Sequence, residues 1–107
     1  MSVAYVEPLL QELVRINSIN PDLVPDAPGE LEIARFIARW LEQVGLEVHW
    51  HEVLPNRPNV VGILRGRGGG KSLILNGHID TVGVAGMTNP HQPYQHEGRL
   101  YGRGAYD

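Results

Sequence analysis

Ser72-Leu73-Ile74-Leu75-Asn76-Gly77-His78-Ile79-Asp80-Thr81 is the stretch whose reading decides the fold. Three large apolar residues in unbroken succession predict a strand covered on both faces, since a strand with one wet face alternates apolar and polar side chains. The run then breaks at Asn76-Gly77 and delivers His78 and Asp80. With a side-chain period of two, these project to the same side of an extended chain. Ligand sites in α/β sheets collect at such strand ends. A histidine that ligates a metal through one ring nitrogen usually donates its other N–H to a carboxylate or carbonyl, and Asp80 is a candidate for that partner, although two residues on one side need not touch. Taken alone, a His-x-Asp pair is a short, weak motif that a hydrogen-bonded polar strand end explains better.

Working back from this run, Asn59 to Leu64 predicts a second strand, separated from it by the glycine-rich turn Arg65 to Gly70. Leu46-Glu47-Val48-His49-Trp50-His51 alternates and predicts a strand buried on one face, with His49 and His51 on its polar side. Leu54 to Pro58 forms the turn between the two. Further back, Ile33, Ile37, Trp40, Leu41 and Val44 recur at helical spacing and predict a helix over 29–44, ended by a left-handed Gly45. Val6, Leu10 and Leu13, flanked by Leu9, Val14 and Ile16, predict a first helix over 3–16, with Pro8 admissible near its start. The stretch holding Pro21, Pro25 and Pro28 is a loop, and the residue before Pro21 is driven out of the helical region. Two helices followed by at least three strands of a mixed sheet make an α/β layered domain.

Composition narrows the classes of function. The chain has 107 residues, enough for one domain, with 42% apolar residues and a net charge of −3. That balance lacks the basic footprint of a nucleic-acid binder. Arg57, Arg65, Arg67 and Lys71 form a local basic run, read as solvated loop charge. No apolar stretch reaches the ~20 residues that span a bilayer, and the first residues lack the basic start and cleavage site of a signal peptide. The absence of cysteine excludes thiolate sites and fits a cytoplasmic protein. Gly66 to Ser72 contains Gly-Lys-Ser but lacks the earlier glycine and the following helix of a phosphate-binding loop. His91 and His96 lie in a proline-containing loop and read as surface polar residues. Tyr94, Tyr101 and Tyr106 read as packing residues with a solvated hydroxyl.

A second chemical signal closes the chain: Gly98-Arg99-Leu100-Tyr101-Gly102-Arg103-Gly104-Ala105-Tyr106-Asp107. Its glycines permit close backbone approach around an acidic side chain, and a carboxylate can give one oxygen to each of two cations. In this order, Leu-Asn-Gly-His-Ile-Asp-Thr-Val and then Gly-Arg-Leu-Tyr-Gly-Arg-Gly-Ala-Tyr-Asp resemble the two signatures of the aminoacylase, acetylornithine deacetylase and succinyl-diaminopimelate desuccinylase family. Leu13 to Pro21, Gly29 to Val48 and Pro58 to Leu64 resemble its first helix and exit, its second helix and entry strand, and its second strand. The likeness therefore runs along nearly all of residues 1–107.

The resemblance implies the N-terminal part of a three-layer α/β/α zinc-exopeptidase catalytic domain, broken off at the bridging aspartate. It implies that His78 ligates one metal, that Asp107 bridges two divalent ions, and that Asp80 orients His78 or the adjacent catalytic base. The ions would be zinc, with cobalt or manganese as alternatives, roughly 3.5–4 Å apart. The reaction would be hydrolysis of an N-acyl amino acid or a short peptide. The family's Glu-Glu pair and later ligands follow the bridging aspartate, as does its dimerising lid, so this stretch is expected to be inactive and poorly folded by itself. A small non-catalytic α/β binding module is the alternative. No nucleic-acid or membrane partner is expected.

Overall fold

A computed structural model describes residues 3–107, with side chains from residue 5. Helix α1 (Val3–Arg15) runs through Pro8 to the loop 16–30. Helix α2 (Leu31–Gln43) follows, then an antiparallel hairpin of β1 (Glu47–Leu54) and β2 (Arg57–Ile63). A second, smaller hairpin pairs β3 (Tyr94–His96) with β4 (Arg99–Tyr101).

The end of α2 shows how local sequence sets the path. Gly45 takes a φ of 94°, its N–H donates to Glu42 O at 3.0 Å, and the Leu46 N–H donates to Leu41 O at 3.0 Å. These are the two bonds of a Schellman cap, which satisfy carbonyls the helix would otherwise leave open. The cap turns the chain straight into β1. At the far end of the hairpin, Pro55 precedes Asn56 at φ 62°, the proline-then-left-handed sequence of a type II turn. Gly62 lets α2 close on β2, because a Cβ there would lie 2.9 Å from Leu46 Cδ2 and 3.0 Å from Leu41 Cδ1.

One ion pair ties this hairpin to the loop before α2. Glu30 occupies the N-cap position of α2 without capping it through its side chain. Its buried carboxylate instead accepts two bonds from Arg57, Nε at 2.9 Å and Nη2 at 2.7 Å, while Arg57 Nη1 reaches Asp22 at 2.8 Å. Arg57 is therefore a bidentate clamp rather than solvated loop charge, and these two carboxylates hold its guanidinium firmly protonated. Arg65 does remain exposed, paired across the sheet edge with Glu47. The exposed His49 shares that Glu47 at 2.7 Å.

The apolar core of the described residues is Val14, Ile19, Ile33 and Ala34. It sits where the exit of α1 meets the start of α2. Gly102 presses on it from the C-terminal side: a Cβ there would overlap Val14 Cγ1 and stand 3.5 Å from Pro90 O. The Arg103 N–H donates to the same carbonyl at 2.8 Å, seating the segment that leads to Asp107.

The α/β composition, the two helices and the positions of the first two strands follow the expectation, but β1 lacks the buried face its alternation predicts: only Val48 is half-buried, and Trp50 is 42% exposed. The run Ser72 to Asn76 departs from it. It pairs with no strand among the described residues, and Leu73, Ile74 and Leu75 are 84%, 85% and 89% exposed. Covering such a run on both faces needs two layers and a neighbouring edge. The described residues supply one helix packed on one hairpin. In place of a mixed sheet there are two separate antiparallel pairs and one isolated parallel bridge, Ile19 with Thr81. The hairpin over 94–101 was not expected. Its two-residue connection, Glu97 (φ 51°) and Gly98 (φ 75°), has the double positive φ of a type I′ turn.

Gly102→Ala should destabilise the chain by about 1–3 kcal/mol through overpacking against Val14. Adding Val14→Ala should recover part of that loss, so that urea melts give non-additive energies. For the Arg57 clamp, the expected order of melting temperature is wild type, then Arg57→Lys, then Arg57→Ala, since lysine keeps the charge but not the fork.

Candidate metal centre

The site is built on the parallel bridge. Thr81 N–H donates to Ser18 O at 3.0 Å, and the Asn20 N–H donates to Thr81 O at 2.9 Å. This pairing fixes the chain just after Asp80 against the exit of α1. The C-terminal segment approaches the same place, where a Cβ on Gly104 (φ 79°) would lie 3.1 Å from Thr81 Cγ2. Two turn-like bonds, Ala105 N–H to Gly102 O at 3.2 Å and Asp107 N–H to Gly104 O at 3.3 Å, coil the last residues back toward His78.

His78, Asp80 and Asp107 are thereby brought together. His78 Nδ1 lies 3.0 Å from Asp80 Oδ1 and 3.1 Å from the Asp80 carbonyl oxygen. Both are acceptors, so Nδ1 carries the proton and donates. His78 Nε2 faces Asp107 Oδ2 at 3.3 Å. The other oxygen of Asp80 accepts a bond from Asn20 Nδ2 at 3.0 Å. The imidazole and the Asp107 carboxylate are largely open to solvent, at 61% and 76% exposure, whereas the Asp80 side chain is 31% exposed. His78 and Asp80 line an open groove together with Glu30, Arg57, Pro58 and Val60.

Electrostatics follow from these contacts. The hydrogen bond to Asp80, and then the charge of Asp107, raise the His78 pKa above its ordinary value. Partial burial pushes Asp80 up, but hydrogen bonds from Asn20 and His78 outweigh it and hold the carboxyl below its ordinary range. Neutral His78 with its proton on Nδ1 turns a lone pair toward the Asp107 carboxylate. Two electron-rich atoms at that separation are stabilised by a positive charge between them, a proton or a cation.

Among the described residues no group of three His, Cys, Asp or Glu side chains gathers around one point. His78 and Asp107 therefore make a two-donor corner. His91, read as a surface residue, has both ring nitrogens shielded from solvent and unpartnered, as are Arg103 Nε, Thr81 Oγ1 and Ser18 Oγ. Tyr94 and Tyr101 stack with ring centroids 4.9 Å apart, and Tyr106 is fully exposed. Asn20 and the Glu30–Arg57 clamp were not singled out from sequence. The only sequence signal for Asn20 was its place before Pro21.

In the metal-free chain, His78 should titrate above the ordinary histidine value of about 6.5, and Asp80→Asn should lower that midpoint. A group with a raised folded pKa adds stability that is complete below its unfolded pKa and disappears as pH rises through the folded one. Histidine NMR titration of both proteins, with thermal melts across the same range, checks the midpoint and the sign.

Curated proteins similar to this chain carry the names of hydrolases. It is 35% identical over 104 residues to N-formyl-4-amino-5-aminomethyl-2-methylpyrimidine deformylase of Halalkalibacterium halodurans, covering 92% of this chain and 24% of that protein. It is 36% identical over 109 residues to succinyl-diaminopimelate desuccinylase of Leptothrix cholodnii, covering 92% and 26%. With acetylornithine deacetylase of Vibrio cholerae it shares 34% over 98 residues, covering 89% and 25%. The chain thus spans about a quarter of the length of these relatives. No protein-family model and no solved structure matches it. By these likenesses the chain belongs to the aminoacylase, acetylornithine deacetylase and succinyl-diaminopimelate desuccinylase family and corresponds to its N-terminal region.

Proposed function

We propose that the His78–Asp107 corner is part of the metal centre of an amide hydrolase that removes an acyl group from an amino acid or cleaves a short peptide. The observation that carries this reading is the 3.3 Å separation of His78 Nε2 and Asp107 Oδ2, with Nδ1 already engaged by Asp80. With metal–nitrogen and metal–oxygen bonds of roughly 2.0–2.2 Å, two ligands on a tetrahedral zinc ion stand about 3.4 Å apart. The donor chemistry, one imidazole nitrogen and one carboxylate oxygen, suits zinc and also cobalt or manganese. The three relatives support the same class, since their names describe removal of a formyl, a succinyl and an acetyl group.

Each residue has a distinct task. His78 supplies Nε2 as a neutral donor. Asp80 keeps the proton on Nδ1 and so fixes the tautomer and the ring plane. Asp107 supplies a carboxylate whose two oxygens can serve two ions. A divalent cation held there would polarise the scissile carbonyl. Hydrolysis requires more donors and a general base than these described residues gather, so the activity is assigned to the whole protein. No helix among the described residues is long and apolar enough to cross a membrane. The substrate is read as a small molecule from the names of the relatives.

Zinc added to the 15N-histidine-labelled chain at pH 7.5 should shift His78 Nε2 and leave Nδ1 protonated. His78→Ala and Asp107→Ala should each weaken binding at this site at least tenfold, on the order of the loss of a metal ligand's support, as read by isothermal calorimetry. His49→Ala should leave it unchanged. A His78 Nε2 resonance indifferent to zinc would reduce the corner to a simple ion pair.

A further inference from the structure

Asn20 is held from three directions. Its backbone N–H donates to Thr81 O at 2.9 Å, and its side-chain Oδ1 accepts the Asp22 N–H at 2.8 Å. Its remaining group, Nδ2, donates to Asp80 Oδ2 at 3.0 Å. The backbone donor on one side and the carboxylate on the other leave a single consistent orientation of the amide, with oxygen toward Asp22 and nitrogen toward Asp80. Asp80 is then bound through both oxygens, Oδ2 by Asn20 and Oδ1 by His78.

From this geometry we infer that Asn20 is a positioning residue: it aims the Asp80 carboxylate at His78 Nδ1 and so presents His78 Nε2 to the corner shared with Asp107. The inference rests on the reading of His78 as a ligand, and adds a residue sixty positions away in sequence. A carboxylate anchored at one oxygen can rotate about its Cβ–Cγ bond and offer either oxygen to its partner. One anchored at both oxygens holds the imidazole in one plane and one tautomer. Partners that orient a ligand from behind typically change metal affinity by about 10–100-fold, and Asn20 acts one contact further out.

Three variants test this in the whole protein of which these residues form the N-terminal region. Asn20→Ala removes the donor. Asn20→Asp keeps the size and the acceptor for Asp22 N–H but sets a carboxylate against Asp80. Asp80→Ala, alone and with Asn20→Ala, asks whether Asn20 acts through Asp80. The readouts are the imidazole 15N shifts of neutral His78, which report the Nδ1–H and Nε2–H tautomers, and the affinity for zinc ion alone. Both Asn20 variants should move His78 toward the Nε2–H tautomer and weaken zinc binding about tenfold, at the low end of such effects. The Thr81 amide shift should stay as in wild type, because the bond from Asn20 N–H to Thr81 O is made by the backbone. In the Asp80→Ala background, Asn20→Ala should change neither readout. An unaltered His78 tautomer in either Asn20 variant overturns the inference, as does an effect that persists without Asp80. If Asn20→Ala loosens the loop, Asn20→Asp decides. Should zinc fail to reach His78 in the wild type, the ligand reading fails, while the tautomer measurement still settles the role of Asn20.

Discussion

Two backbone hydrogen bonds, Thr81 N–H to Ser18 O and Asn20 N–H to Thr81 O, hold the arrangement together. They join the exit of α1 to the segment carrying His78 and Asp80. Everything that faces the site is referred to that bridge. On one side, Gly29 N–H reaches Ile19 O at 3.1 Å, and Glu30 beside it accepts the Arg57 fork, so the loop 20–30 is fastened at both ends. On the other, Gly104 abuts Thr81 and Gly102 abuts Val14, so the last residues are seated against the same core. The bridge is enclosed closely enough that the hydroxyls of Ser18 and Thr81 have no partner. Such enclosure raises the cost of a misplaced polar group and narrows the positions the segment can adopt.

What could be read in advance was what depends on neighbours in sequence. The end of α2 was legible because Gly45 follows a five-residue apolar stripe, and the cap is formed by residues three and five positions apart. The partnership of His78 with Asp80 was legible because a period of two places both side chains together. The approach of Asp107 to His78 was legible only through family resemblance, since no spacing rule connects them. Arg57 was misread because its partner Glu30 lies 27 residues away, and a charge judged singly looks solvated. The run Leu73 to Leu75 was read by composition as a covered strand, and composition states what a segment needs, not whether neighbours supply it. The hairpin over 94–101 was hidden by its shortness and by Glu97-Gly98, a less familiar form of the Asp-Gly turn signal.

In the proposed metal corner the tasks of His78, Asp80 and Asp107 would match their exposure. His78 and Asp107, the proposed donors, face solvent, and Asp80, the proposed orienting residue, is the most sheltered of the three. A carboxylate that must hold one tautomer gains from a lower local dielectric, where its hydrogen bonds are stronger. Ligand atoms that must receive a cation gain from access.

The Schellman cap and the β1–β2 hairpin also bear on how the molecule comes together in time. Both consist of contacts between residues near in sequence, which form quickly. The bridge between Ile19 and Thr81 instead closes a loop of about sixty residues. Closing such a loop costs entropy that grows with the logarithm of its length, about 0.6 kcal/mol for each doubling. Once the hairpin has brought Glu47 beside Ile63, the intervening residues no longer count toward that length. The hairpin thus shortens the loop that the bridge must close, and it also supplies Arg57, Pro58 and Val60 to the groove that His78 and Asp80 line.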